Sequence, residues 1–360
     1  MSDYACGDQC AAGPAGRLVP LEEAVGLVLA HDITEIVPGR SKGPAFRKGH
    51  VVRREDLEHL ARLGKRHLYV LEIGPDQVHE DEAARAMARA LAGEGVEPAG
   101  PPAEGKVTLV AARDGLFEVD VERLTAFNLV PEVMCGTIHR HTPVKRGQAL
   151  AGTRAIPLLI RRGNLEQALE VAGGGLMWVR SLRPLKAGVV VTGNEVAAGL
   201  IEDRFAGIVA DKLEALGGSV MGVRITPDDR AAVAGAIRSL LAEGAEMVIT
   251  TAGMSVDPDD VTRLGIADAG GFDLVYGSPV LPGAMFLVGM LRGPEGEVPV
   301  LGVPACALFH PTTILDLVLP RIMAGERFDR AKIARLAHGG YCQNCAGGCR
   351  FPACGFGRGS

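Results

Sequence analysis

GVVVTGNE, residues 188–195, opens the stretch that decides the fold. An uncharged apolar run that stops at a glycine turn reads as a strand buried on both faces. A helical repeat follows over Arg204 to Leu216, with Phe205, Ile208, Val209, Leu213 and Leu216 on one face and Gly217-Gly218 as its stop. Val220 to Ile225 is a second strand. Thr226-Pro227-Asp228-Asp229 reads as a helix start, with Thr226 as the N-cap hydroxyl and two acids in the first turn. Val233, Ile237, Leu240 and Leu241 line that helix. Glu246 to Thr251 is a third strand, Val298 to Val303 another, and Phe309 to Leu319 the final helix. This alternation predicts an α/β fold: a mostly parallel sheet with helices on both faces, in three layers. Ligands bind such sheets beyond the carboxyl ends of the strands. Three loops lie there, Thr192 to Asp203, Thr251 to Asp260 and Val303 to Leu308.

The second loop carries the most chemistry. TTAGMSVDPDDVT, residues 250–262, follows the apolar Met247-Val248-Ile249. Glycine at a strand end lets backbone N–H groups point at an anion. The Ser255 hydroxyl and the carboxylates of Asp257, Asp259 and Asp260 can hold a metal or accept hydrogen bonds from a ring amide.

Composition narrows the class. The chain has 360 residues, 47% hydrophobic and 22% charged, enough for two or three globular domains. Aromatic residues are only 4% and the net charge is -5, which argues against a broad nucleic-acid surface. No apolar run reaches a membrane span. The first residues, MSDYACGDQCAAGPAG, lack the basic start and apolar core of a secretory signal, so a cytoplasmic address is expected. In that compartment eight cysteines read as ligands or free thiols rather than disulfides.

Upstream, residues 1–16 are small and polar, and a mixed α+β region spans 17–180. Leu21 to Ala30 has helical spacing, as does Arg54 to Leu63, which stops at Gly64. His67 to Ile73 reads as a strand and Asp81 to Leu91 as an alanine-rich helix. Glu94 to Lys106 is Gly/Pro/Ala-rich and reads as a linker or long loop. Thr108 to Ala111 and Pro157 to Ile160 are short strand-like runs. His139 and His141 stand on alternate positions, as on one strand face. Cys135 and Cys306 read as small buried residues.

Taken in order, TGNE, Asp203 at a helix start, ITPDD, TTAGMSVDPDDVT, LPG at 281–283 and GVPA resemble the molybdopterin-binding domain of MoeA, MogA and gephyrin. The resemblance covers about residues 185–325, within a molybdopterin-binding α/β domain expected over 185–330. It extends upstream through PLEEAVGLVLAHDI (20–33) and KGHVVRREDLEHLARLGKRHLYV (48–70), which look like the start of MoeA-type proteins. It implies a site for the phosphate and pterin of molybdopterin. Gly253, Met254 and Ser255 would form the phosphate loop. Asp203 and Asp260 match the family's two aspartates and would carry catalysis, with or without Mg²⁺. Glu195 matches the acid of the TGxE turn, and Thr192, Gly193, Asp257, Pro282, Gly283 and Pro304 fall on the other ligand-binding positions. The implied function is molybdenum or tungsten cofactor biosynthesis, by molybdate or tungstate insertion of the molybdenumtransferase type. The alternative is a non-catalytic carrier or sensor that delivers cofactor to a client oxidoreductase. A homo-oligomer is expected by the same resemblance.

Three departures bear on that choice. Ala252-Gly253 stands where the family has Gly-Gly. Leu281-Pro282-Gly283-Ala284-Met285 lacks both lysines of the family's run, and Val303-Pro304-Ala305-Cys306 replaces Pro-Gly-Asn-Pro. Lost lysines weaken attraction for molybdate and phosphate. After Arg330 nothing resembles the family's C-terminal β domain. Instead residues 338–360 are rich in Gly and Cys. Cys342, Cys345, Cys349 and Cys354 give C-x2-C-x3-C-x4-C, a spacing open to zinc or an iron–sulfur cluster, with Cys6 and Cys10 as candidate extra ligands. His310 lies beside the third loop and is a candidate ligand contact.

Overall fold

A computed structural model describes residues 17–37, 41–71, 73–103, 105–254 and 261–358. Ser255, Asp257, Asp259 and Asp260 of the second loop, and Cys6 and Cys10, lie outside the described residues. The chain divides into two compact units. The first comprises residues up to 110 with 120–137 and 149–177, and the second 111–119, 138–148 and 178–360. Two segments within 107–180 therefore cluster with the second unit.

The first unit is mixed α+β. A four-stranded sheet runs in the order Val133–Thr137, Ala149–Ala155, Lys106–Ala111, Val96–Pro98. The last of these strands interrupts the stretch expected to be a loop. The alanine-rich helix spans Glu80–Leu91 and buries Ala83, Ala84, Met87, Ala88 and Leu91. Leu21 to Ala30 is not a helix. Only a 3-10 turn forms at Leu21–Glu23, Gly26 takes a φ of 87°, and Val28–Leu29 pair with the strand His67–Leu71. The apolar spacing there serves a small core with Val19, Leu60 and Val70. The helix Asp56–Arg62 does form, ended by Gly64 at φ 77°.

The second unit is built on a six-stranded sheet. Its elements are β1 (Lys186–Thr192), α1 (Phe205–Ala215), β2 (Ser219–Thr226), α2 (Arg230–Ala242), β3 (Met247–Thr251), α3 (Thr262–Asp268), β4 (Phe272–Tyr276), β5 (Leu287–Gly293), β6 (Gly296–Val303) and α4 (Ile314–Met323). The strand order is β2-β1-β3-β6-β5-β4. β2, β1, β3 and β6 are parallel; β5 runs antiparallel to β6, and the edge strand β4 antiparallel to β5.

Alternate side chains along each central strand enter opposite layers, as strand geometry requires. Val189, Val191, Leu301 and Val303 pack under α1 and α4 with Phe205, Val209, Leu213 and Val318. Val190, Val248 and Val300 pack under α2 and α3 with Val233, Ile237, Leu240 and Ile266. Each such buried aliphatic contributes roughly 1.5–3 kcal/mol, which is why the central strands tolerate no charge.

Two helix starts differ from expectation. Thr226 stays in β2, opposite Thr192, and the N-cap of α2 is Asp229, whose side chain accepts from Ala232 N at 2.7 Å. α4 begins at Ile314, not Phe309, because Thr313 and Asp316 form a capping box. His139 and His141 sit in a connection rather than on a strand. His141 has a φ of 58° and its Nε2 lies 3.2 Å from Glu118 Oε2, with burial holding its pKa below the usual value.

Candidate functional site

From β1 the chain crosses to β2 on one side, while β3 continues toward β6 on the other. The strand order thus reverses between β1 and β3, the kind of point outside whose carboxyl ends ligands bind in open α/β sheets. The residues at that point are small and buried. Val191 is in register with Thr251, and Thr251 with Val303. The TGNE, TAGM and VPAC loops therefore leave the sheet side by side.

Thr192, Thr251 and Thr262 are at most 2% exposed. Thr192 Oγ1 lies 3.0 Å from Thr251 O and 3.1 Å from Thr262 Oγ1. This pair ties the end of β1 to the start of α3. Gly253 is seated against it with a φ of 58°, and a Cβ there would overlap Thr262 Oγ1 and approach Thr192 Oγ1. Ala252 also adopts a left-handed φ, 64°, and its N–H donates to Val303 O at 3.1 Å. The Ala252 methyl sits where glycine would be unstrained. Two threonine hydroxyls at these strand ends, those of Thr226 and Thr251, are buried with no hydrogen-bond partner among the described residues, and Thr251 is the one beside the Gly253 turn. Buried hydroxyls are almost always paired, so these two are exceptions within the sheet edge.

The first loop is shaped by Gly193 at φ 149°. Asn194 and Asp228 exchange reciprocal bonds, each backbone N–H donating to the other's side-chain oxygen at 3.1 Å. Glu195 is exposed on a one-turn helix, Asn194–Ala197. Asp203 caps α1: its two oxygens accept from Phe205 N at 2.8 Å and Ala206 N at 3.2 Å. Its carboxylate is thus engaged by the helix start.

Met254 contributes backbone alone. Its side chain is 2% exposed and packed in the layer under α2, and its carbonyl accepts from the Tyr276 hydroxyl at 2.6 Å. Pro304 is buried and starts a 3-10 turn, Ala305–Leu308. The neighbouring Cys306 thiol is pushed up by burial and so is not a ready thiolate. Pro282 and Gly283 belong to a different wall. Pro282 O accepts from Ile314 N at 3.2 Å, and a Cβ on Gly283 would press on the Ile314 side chain. The structure thus brings Thr192, Gly193, Gly253 and Pro304 to one strand edge and places Pro282 and Gly283 at the start of α4.

Sequence reasoning missed Thr262 and the orphaned Thr251 hydroxyl. Both stand inside the 250–262 stretch, but a threonine there reads as ordinary strand or loop beside the more conspicuous Gly, Ser and Asp. The only signal was four threonines at or beside strand ends, Thr192, Thr226, Thr250 and Thr251, in strands otherwise aliphatic.

Residues 188–324 match the family model described as a probable molybdopterin binding domain. That stretch belongs to this domain family. Residues 18–72 match a second model, described as a domain of unknown function. A curated relative, the CinA-like protein of Mycobacterium sp. (strain MCS), is 36% identical over 90 residues, which are 25% of this chain and 21% of that protein. The chain thus spans about a fifth of that relative's length. Among solved structures, the tungsten cofactor synthesizing protein MoaB from Pyrococcus furiosus matches with 21% identity and a TM-score of 0.29, covering 40% of this chain and 98% of its own. A molybdenum cofactor biosynthesis protein from the same organism matches with 14% identity and a TM-score of 0.25, covering 88% of this chain and 64% of its own. The molybdopterin-binding-type domain contains all three loops at the switch point.

Proposed function

We propose that the second unit binds molybdopterin at the carboxyl ends of β1, β3 and β6, and that the protein acts in molybdenum or tungsten cofactor biosynthesis in the cytoplasm. The observation that carries this reading is the unpaired Thr251 hydroxyl beside the left-handed Gly253 turn, at the point where the strand order reverses. A phosphate suits backbone N–H groups at such a turn, and the donors of a pterin ring suit nearby carboxylates. Ser255, Asp257 and Asp260 are proposed as the remaining wall of this site.

The chemistry proposed is orientation. The Thr192–Thr262 pair holds the turn rigid, so the ligand meets a preorganised edge. Asp203 acts by fixing α1 and through it the first loop. Its carboxylate is engaged there by the Phe205 and Ala206 N–H groups. The absent lysines at 281–285 favour binding or carriage, as a homo-oligomer serving a client oxidoreductase, over molybdate insertion.

Incubating the full chain with molybdopterin, free and adenylylated, plus molybdate separates these roles. Binding without formation of the molybdenum-loaded pterin is the result expected. Turnover would replace the carrier role with a transferase. Absence of binding would remove the reading altogether.

A further inference from the structure

The carboxyl-terminal cysteines form a feature independent of the pterin site. Residues 339–358 have neither helix nor long strand, yet they are fastened to the second unit. Cys342 N donates to Leu281 O at 2.8 Å, and Leu281 N donates to Gly340 O at 2.8 Å. Phe356 is 5% exposed, and Cys342, Phe351 and Cys354 pack against the layer under α1 and α4. Arg358 reaches back to Arg140 O at 3.2 Å and Thr142 Oγ1 at 2.7 Å.

Between these anchors lies a cavity of about 350 Å³. Its wall includes all four thiols of the motif, Cys342, Cys345, Cys349 and Cys354, with His310 and Phe351. All four are free thiols. Cys349 Sγ lies 3.0 Å from Thr312 Oγ1, so one thiol is already oriented by the body of the unit. Among the described residues no three such side chains are gathered in one coordination sphere. Free thiols gain nothing from close approach, and as thiolates they repel. The loop between Cys345 and Cys349 contains Gly347 and Gly348, at φ 91° and 107°, and glycine adopts backbone conformations that other residues resist.

We propose that these four sulfurs bind one Zn²⁺ as a tetrathiolate site that locks the tail onto the 279–283 loop. Each thiol releases its proton to solvent as its sulfur bonds the ion, with no change of oxidation state. Spacers of two, three and four residues let sulfurs converge on one centre about 2.3 Å away. Two half-buried thiols, Cys342 and Cys354, give the site a fixed base, and the exposed Cys345 and Cys349 complete it from the solvent side. Closure of such a small, core-poor segment by a metal contributes directly to its folding.

Elemental analysis of the full chain purified with zinc and reductant tests this. About one zinc per chain is expected, together with intense sulfur-to-metal charge transfer after Co²⁺ exchange. The C345S/C349S double variant removes two exposed sulfurs, so it should stay folded while losing at least about tenfold in zinc affinity. His310→Ala should keep the metal. Substoichiometric zinc in the parent, unchanged affinity in the double variant, or iron with acid-labile sulfide would each overturn the proposal. None of these readouts involves pterin, so the two readings fail separately.

Discussion

Gly253 is the residue on which the site's geometry turns. An alanine there would take a left-handed φ, costing about 1–2 kcal/mol, and would collide with a buried hydroxyl, adding about 1–3 kcal/mol. Gly253→Ala should therefore lower unfolding free energy by roughly 2–5 kcal/mol in urea titration, and an unchanged midpoint would contradict the packing. Thr251→Val makes the opposite prediction. It removes an unpaired buried hydroxyl and keeps the shape, so the ligand-free protein should gain up to about 1 kcal/mol. Molybdopterin affinity should fall about 5–10-fold, as for one lost hydrogen bond. A variant that gains neither stability nor loses affinity would show that this hydroxyl has no ligand role. Asp203→Asn should leave the midpoint within about 0.5 kcal/mol, because Asn caps as well as Asp, whereas Asp203→Ala should cost about 1 kcal/mol. Equal losses in both variants would mean that the carboxylate does more than cap α1.

At the scale of elements, sequence patterning located β1, β2, β3, β6, α1 and α2 because each is decided locally. A strand sandwiched between helix layers reads as an aliphatic run, and a helix with one buried face reads by its period. What it could not read depends on contacts distant in sequence. Leu21 to Ala30 has helical spacing, but Val28–Leu29 are claimed by the strand 67–71. β4 is an edge strand, and its pairing with β5 spans the 277–286 connection. The Thr313/Asp316 capping box lies just past the Phe309 start that sequence reading predicts for the helix.

The end of α4 makes a testable electrostatic element. Arg321, 6% exposed, donates from Nε and Nη2 to Glu326 at 2.8 and 2.9 Å, and Lys332 Nζ stands 3.2 Å away. Burial alone would raise the Glu326 carboxyl, but these two cations outweigh it and hold it at about 2. A carboxyl depressed in the fold stabilises above its unfolded value and loses that contribution as pH falls toward its folded value. Stability should thus decline between about pH 5 and pH 2 by on the order of 1–2 kcal/mol from this group, allowing for solvent screening. Glu326→Gln should flatten that limb in urea titrations at pH 7 and pH 3; parallel curves for parent and variant would remove the assignment.

For the whole molecule, the legible part was the parallel part of the sheet with its helices, and the least legible was the division of residues 107–180 between two units. Segments 111–119 and 138–148 join the second unit through pairing that local spacing does not encode. Cys135 was read correctly as a buried structural thiol, since burial pushes it up to about 12. Among the described residues no helix is long and apolar enough to cross a membrane. Titrating the intact chain with molybdopterin in a calorimeter tests the central claim most directly. Saturable binding of about one pterin per chain, weakened by Thr251→Val, is the outcome the switch-point geometry predicts. Heat no greater than dilution, from protein that still unfolds cooperatively, would contradict it.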